Sequence, residues 1–170
     1  MIIRIIGAIL IIGTCSAFGF KMSANYKLQQ RQMEQLIQAF LFVSCEMSYR
    51  LTPLSQQFYQ CCSLTTGAVQ SFFRQASKEL SDQINPDAVC CVHIALDKTT
   101  GLTPAAIKAL KQFGSTLGEF DLDGQLKSLE QTLTLCKQTL AQLNAEQTVC
   151  TRNYQTLGIC TGAALAILFI

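Results

Sequence analysis

The sequence predicts an all-α protein: a six-helix bundle forming a soluble domain, flanked by N- and C-terminal transmembrane helices. Three observations predict it. The 170-residue chain is apolar at both ends. Three proline junctions, Thr52-Pro53, Asn85-Pro86 and Thr103-Pro104, divide the middle into helix-length pieces. A leucine-rich heptad seam runs through the last piece. Strand alternation and Asn-Gly hairpin signals are missing.

Residues 2–20 are nearly all apolar, with Arg4 the one charge. A helix needs roughly 17–25 such residues to cross a bilayer, so residues 1–20 are predicted to span one. A cleaved secretory signal is the competing reading. Arg4 supplies its short basic start and Thr14-Cys15-Ser16 its small-residue site. Ile12-Gly13-Thr14 does not resemble a lipobox, which sets lipid attachment at Cys15 aside. Residues 157–170 carry no charge. A helix from Tyr154 makes residues 154–170 the second span, with its carboxylate reaching the far head groups. The alternative is a hydrophobic tail buried in a partner. Residues 21–153 then suit one compact domain. Lys21, Lys27, Arg31 and Arg152 flank the spans on the domain side, against Arg4 on the other. The positive-inside bias places the domain in the cytoplasm.

Within the domain, a first helix is expected over about residues 26–51. Met33, Leu36, Ile37, Phe40, Leu41, Ser44 and Met47 recur at three- and four-residue spacing and make one buried stripe. At each proline junction a polar residue suits the N-cap. The proline suits the first helical position, where its missing N–H would be unpaired anyway. Helices are therefore predicted to begin near Pro53, Pro86 and Pro104. Another, over about residues 68–80, is opened by Gly67. Gly114 and Gly118 break the next pattern, and Asp121 or Asp123 caps the last helix. Its seam is Leu122, Leu126, Leu129, Leu133, Cys136, Leu140 and Leu143, which packs inside the bundle in preference to an intermolecular coiled coil. No proline separates this helix from the C-terminal span.

Net charge is +2 with the basic residues scattered, so nucleic acid is not an expected partner. Seven of the nine cysteines fall between the spans. That odd number, with two vicinal pairs, points to free thiols in a reducing compartment. Cys90, Cys91 and His93 are the one cluster that invites a metal-binding or redox reading of a membrane-tethered protein. Zinc takes about four ligands, and adjacent residues point to different sides of a helix. No cofactor is expected, and no Gly-rich phosphate loop, nucleophile triad or small-molecule site is legible. The chain reads as a non-enzyme. The corner formed by Gly114, Gly118, Asp121 and Gln125 reads as a tight helix–helix junction.

Four features resemble the stage III sporulation protein AB family of endospore-forming Gram-positive bacteria. They are Ile6-Gly7-Ala8 with Gly19-Phe20 in the first span; Glu46-x-x-Tyr49 followed by Thr52-Pro53-Leu54; Leu110-Lys111-Gln112-Phe113-Gly114 followed by Leu117-Gly118, Asp121 and Gln125; and the apolar tail. The resemblance implies a scaffold of the channel, or feeding apparatus, that joins mother cell and forespore and is required for endospore formation. It implies a place in the mother-cell membrane around the forespore. The domain would be similar to the F-type platform protein of type II secretion machines and face the cytoplasm. Its partners would be other channel proteins, including a secretion-type ATPase. The interaction and structural residues implied are Glu46, Tyr49, Thr52, Pro53, Leu54, Gly114, Gly118, Asp121 and Gln125. Glu46 lies off the apolar stripe. It either faces a partner or bonds inside its own bundle.

Overall fold

Among the described residues a computed structural model holds six helices: α1 (Ile2–Tyr49), α2 (Leu54–Leu64), α3 (Gly67–Asp82), α4 (Ala88–Lys98), α5 (Pro104–Ser115) and α6 (Leu122–Phe169). The structure describes the backbone of residues 2–49, 52–82, 87–115, 117 and 122–169. It describes side chains at 24–49, 52–82, 87–115, 117 and 123–147. No strand occurs among the described residues. The chain divides into two compact units. One is Gln29–Ala141; the other combines Met1–Leu28 with Gln142–Ile170.

The expected helix over residues 26–51 is the C-terminal half of α1, which runs unbroken from Ile2. No glycine or proline stands between Phe20 and Tyr26 to end it. The last helix likewise continues through the apolar tail as α6. The two apolar ends are thus extensions of the first and last helices, not separate elements. Among the described residues no helix is long and apolar enough to cross a membrane. The two expected spans, residues 1–20 and 154–170, lie outside the residues whose side chains are described.

The proline junctions start helices, but the caps differ from the expected ones. Pro53 occupies the N-cap position of α2, and its carbonyl accepts from the N–H groups of Gln56 and Gln57 at 2.9 and 3.1 Å. Thr52 is not the cap, because its hydroxyl is bonded elsewhere. α4 begins at Ala88, capped by Asp87, whose carboxylate accepts from the Val89 N–H at 3.0 Å. Asn85 and Pro86, the expected start, lie outside the described residues. An acidic cap also sits well at the positive end of the helix dipole. At α5 the pattern holds as expected for the backbone. Pro104 is the first helical residue, and the Thr103 carbonyl accepts from the Ile107 N–H at 2.9 Å. Gly67 opens α3 at φ 63, a left-handed conformation that favours glycine.

Apolar spacing decides which faces turn inward. On α1, Met33, Leu36, Phe40, Val43 and Met47 are buried at alternating three- and four-residue steps. Leu41, expected in that stripe, is 48% exposed. It stands one residue, about 100°, away from Phe40 on the helix surface. On α6, Leu129, Leu133 and Cys136 join the same core, and Leu126 and Leu140 pack half-buried against it. The heptad seam therefore serves its own bundle. Leu122, its first member, has an undescribed side chain.

Phenylalanines fill the centre. Phe113 of α5 lies 4.7 Å from Phe40 of α1 and 5.9 Å from Phe58 of α2, centroid to centroid. Phe58 continues to Phe73 of α3 at 5.6 Å, edge-on, and Phe73 to Phe72 at 5.3 Å. Such tilted and edge-on pairs add to the area that each ring buries. One aromatic chain thus joins α1, α2, α3 and α5. On the surface, the Lys98 ammonium and the Glu79 carboxylate, 2.7 Å apart, tie α4 to α3.

Candidate interaction site

The Glu46–Thr52 corner forms where α1 ends and the chain turns into α2. Glu46 is 8% exposed, and its carboxylate accepts a hydrogen bond from the Thr52 hydroxyl at 2.9 Å. The Thr52 carbonyl accepts from the Gln57 side-chain amide at 2.7 Å. Glu46 is therefore bonded inside its own bundle, the second of its two expected readings. Sequence left both readings open, because Glu is rarely buried unless paired and its partner was not legible. One of its oxygens, Oε2, accepts from a turn residue that the stripe does not reveal. Leu54 packs half-buried on the core. Pro53 is exposed, and Tyr49 is 83% exposed.

Replacing Glu46 by alanine leaves the Thr52 hydroxyl without this acceptor. The expected cost is about 1–2 kcal/mol, read as a lower denaturation midpoint. Glu46→Gln keeps an acceptor and is expected to recover most of that loss.

The second corner lies at the end of α5. Gly114 is buried, and a Cβ there would stand 2.6 Å from Val92 Cγ1. The glycine is inside the helix, so its role is close approach of α5 to α4, not helix termination. The chain then turns, with the Leu117 N–H donating to the Gly114 carbonyl at 3.1 Å, and Leu117 inserts into the core. Gly118 and Asp121 lie outside the described residues. Gln125, on the first turn of α6, is half-buried. Phe113, just before Gly114, reaches Phe40 of α1 and Phe58 of α2.

A third feature was not legible as a site. Two glutamines one turn apart on α1 hold two loops. The Gln32 amide donates to the Gly101 carbonyl at 2.8 Å and accepts from the Thr103 N–H at 2.8 Å. Gln35 donates to the Thr66 hydroxyl at 2.7 Å and accepts from the Thr66 N–H at 3.4 Å. Gln32 thereby pairs a carbonyl and an N–H of the α4–α5 loop, in which Gly101 is left-handed at φ 86. Only the Gln residues between apolar stripe positions hint at it. Gln32→Leu fits the buried position in size but strands a loop carbonyl and an N–H. A loss of about 1–3 kcal/mol is expected in urea unfolding.

The thiols divide by burial. Cys45 and Cys90 are exposed, whereas Cys61, Cys91 and Cys136 are buried; none of the five, nor Cys62, is in a disulfide. Burial, with a smaller contribution from neighbouring Cys62, pushes the Cys61 thiol up to about 12. Burial alone pushes Cys136 up to about 11. Both start from an ordinary 9.0. A raised folded-state value gives stability that is full below the unfolded value and is lost as pH rises towards the folded one. Stability should therefore fall between about pH 9 and pH 11–12, a trend read by denaturant titrations across that range. At neutral pH a maleimide should label Cys45 and Cys90 quickly, and Cys61 and Cys136 only after unfolding.

The metal reading of Cys90, Cys91 and His93 finds no support in this division. Cys91 is 1% exposed and turned into the bundle, while Cys90 and His93 face solvent. Neighbours on a helix diverge by about 100°, so the two thiols cannot share an ion. Among the described residues no group of three or more His, Cys, Asp or Glu side chains is placed to hold a metal.

The fold and its corners define a class: an all-helical bundle, centred on aromatic packing, whose polar corners bind its own turns. The chain belongs to the stage III sporulation protein AB family, whose model, "Stage III sporulation protein AB (spore_III_AB)", matches residues 4–170. The stage III sporulation protein AB of Bacillus subtilis (strain 168) is 28% identical over 171 residues, covering 99% of each chain. A solved structure of stage III sporulation protein AB (SpoIIIAB) superposes with a TM-score of 0.66 at 28% identity. It covers 72% of this chain and 98% of that chain. The resemblance read from the sequence is thereby shown.

Proposed function

We propose that this sporulation protein is a non-enzymatic membrane scaffold of the channel between mother cell and forespore. The observation that carries the reading is the extent of the family match, which runs over residues 4–170 and so takes in both apolar ends with the bundle. The ends are lengths of α1 and α6, so a bundle tethered at both ends needs no separate linkers. Lys21, Lys27, Arg31 and Arg152 favour a bundle on the cytoplasmic side. Residues 1–20 and 154–170 serve as the spans, and residues 21–153 as a domain similar to the type II secretion F domain. Its partners are proteins of the same membrane complex, among them a secretion-type ATPase.

Topology offers the direct test. With the native bundle cysteines replaced, a single engineered cysteine in the bundle should resist an impermeant thiol reagent in intact sporulating cells. It should label after permeabilisation. Ready labelling of intact cells would remove the cytoplasmic placement. Cross-linking and co-purification from sporulating cells should recover other channel proteins with the full-length chain, and recovery of none would remove the scaffold role.

A further inference from the structure

The four middle helices carry one pattern twice. α2 and α4 each hold 11 residues, and adding 34 to every residue number of Leu54–Leu64 gives Ala88–Lys98. The same shift moves buried Gln57, Phe58 and Cys61 onto buried Cys91, Val92 and Ala95. It moves every exposed residue of α2 onto an exposed residue of α4. α3 and α5 match as closely. Adding 37 takes Gly67, the first residue of α3, to Pro104, the first of α5. It also takes all five buried residues of α3, from Val69 to Ser77, onto the five of α5, from Ala106 to Gly114.

Amphipathic helices share three- and four-residue spacing, so burial alone would not relate the two hairpins. Their turns do. Thr65-Thr66-Gly67 follows α2, and Thr99-Thr100-Gly101 follows α4. In each, the first threonine hydroxyl donates to the carbonyl four residues back, Cys61 at 2.8 Å and Ala95 at 2.7 Å. In each, the glycine is left-handed, at φ 63 and φ 86. In each, one glutamine of α1 holds the turn, Gln35 the first and Gln32 the second. The turns lie side by side, since a Cβ on Gly101 would stand 3.6 Å from the Ala68 Cβ. Further along, a small residue meets the preceding helix. Ser77 donates to the Ser55 carbonyl at 2.8 Å, and Gly114 abuts Val92. We propose that α2–α3 and α4–α5 are two copies of one helical hairpin, hung side by side on α1 by Gln35 and Gln32. Recurrence at a fixed spacing is the mark of a repeated unit that cannot bury its apolar face alone. Here α1 and α6 supply the remaining cover. The copies differ by three residues in the turn: Leu102, Thr103 and Pro104 have no counterpart between Gly67 and Ala68.

The test uses the full-length protein in mild detergent and reads helical circular dichroism and the denaturation midpoint. Deleting Leu102, Thr103 and Pro104 makes the second turn match the first, with Gly101 followed by Ala105 as Gly67 is by Ala68. Deleting only Leu102 and Thr103 removes less of the chain. It leaves α5 one residue, about 100°, out of the phase that the first hairpin keeps. The three-residue deletion should keep the helical signal and unfold cooperatively, with a higher midpoint than the two-residue deletion. The reciprocal pair inserts Leu-Thr-Pro or Leu-Thr between Gly67 and Ala68, and the longer insertion should again be the better tolerated. Without a repeat, the smaller change disturbs the turn less. A higher midpoint for the three-residue change in either turn supports the repeat, and an equal or lower one in both turns overturns it.

Discussion

Phe113→Ala is expected to cost the bundle about 3–5 kcal/mol, a large share of the roughly 5–15 kcal/mol that holds a domain of this size together. The ring is 1% exposed and touches both Phe40 and Phe58. Truncation removes the buried ring and opens a cavity between helices from different parts of the chain. Neither neighbour can close it without leaving its own packed position. Chemical denaturation should show the midpoint fall with little change in the denaturant slope, because the surface exposed on unfolding is nearly the same. Phe113→Leu, which keeps most of the apolar volume, should cost markedly less. Equal losses for alanine and leucine would mean that the ring does not fill the centre.

Gly114→Val should cost about 1–3 kcal/mol or more, by the opposite mechanism. Here atoms are added where there is no room. A Cβ would meet Val92 Cγ1 at 2.6 Å, and real Cβ atoms do not approach so closely. Overpacking forces off-rotamer side chains and helix displacement. Gly114→Ala makes the cleaner measurement, because it improves helix propensity and its only penalty is this contact. Combining it with Val92→Ala removes the opposing methyl groups. The double variant should then be more stable than the sum of the two single losses predicts, by about 0.5–3 kcal/mol, as expected for residues in contact. Strict additivity in that cycle would show that Gly114 is not held by Val92.

What the sequence revealed follows from the range of each signal. Helix periodicity is local, and the α1 stripe, the α6 seam and the start of α5 at Pro104 all came through it. The α4 cap did not, because Asp87 and Pro86 compete for the same few positions and only the backbone decides between them. Leu41 was drawn into the stripe by its hydropathy, although its angle on the helix places it outside. Of the candidate site, Gly114 was legible as a glycine that either ends a helix or lets two approach, but its opponent Val92 was not, since that contact joins two helices across a loop. Glu46 was left open for the same reason: its acceptor role depends on Thr52 returning from the turn. Gln32 and Gln35 escaped notice altogether. A glutamine has no distinctive spacing when its partners are the backbone groups of distant loops.

The Gln32 amide also sets a schedule for biosynthesis. Its partners lie 69 and 71 residues further along the chain. A ribosome adding about 5–20 residues per second needs roughly 4–14 s to supply them. During that interval α1 has been made, yet its face of Met33, Leu36, Phe40 and Val43 lacks Phe113 and the α6 leucines that will cover it. Nascent chains stalled before residue 101 should consequently present a sticky helix to chaperones, whereas the released full-length chain should not.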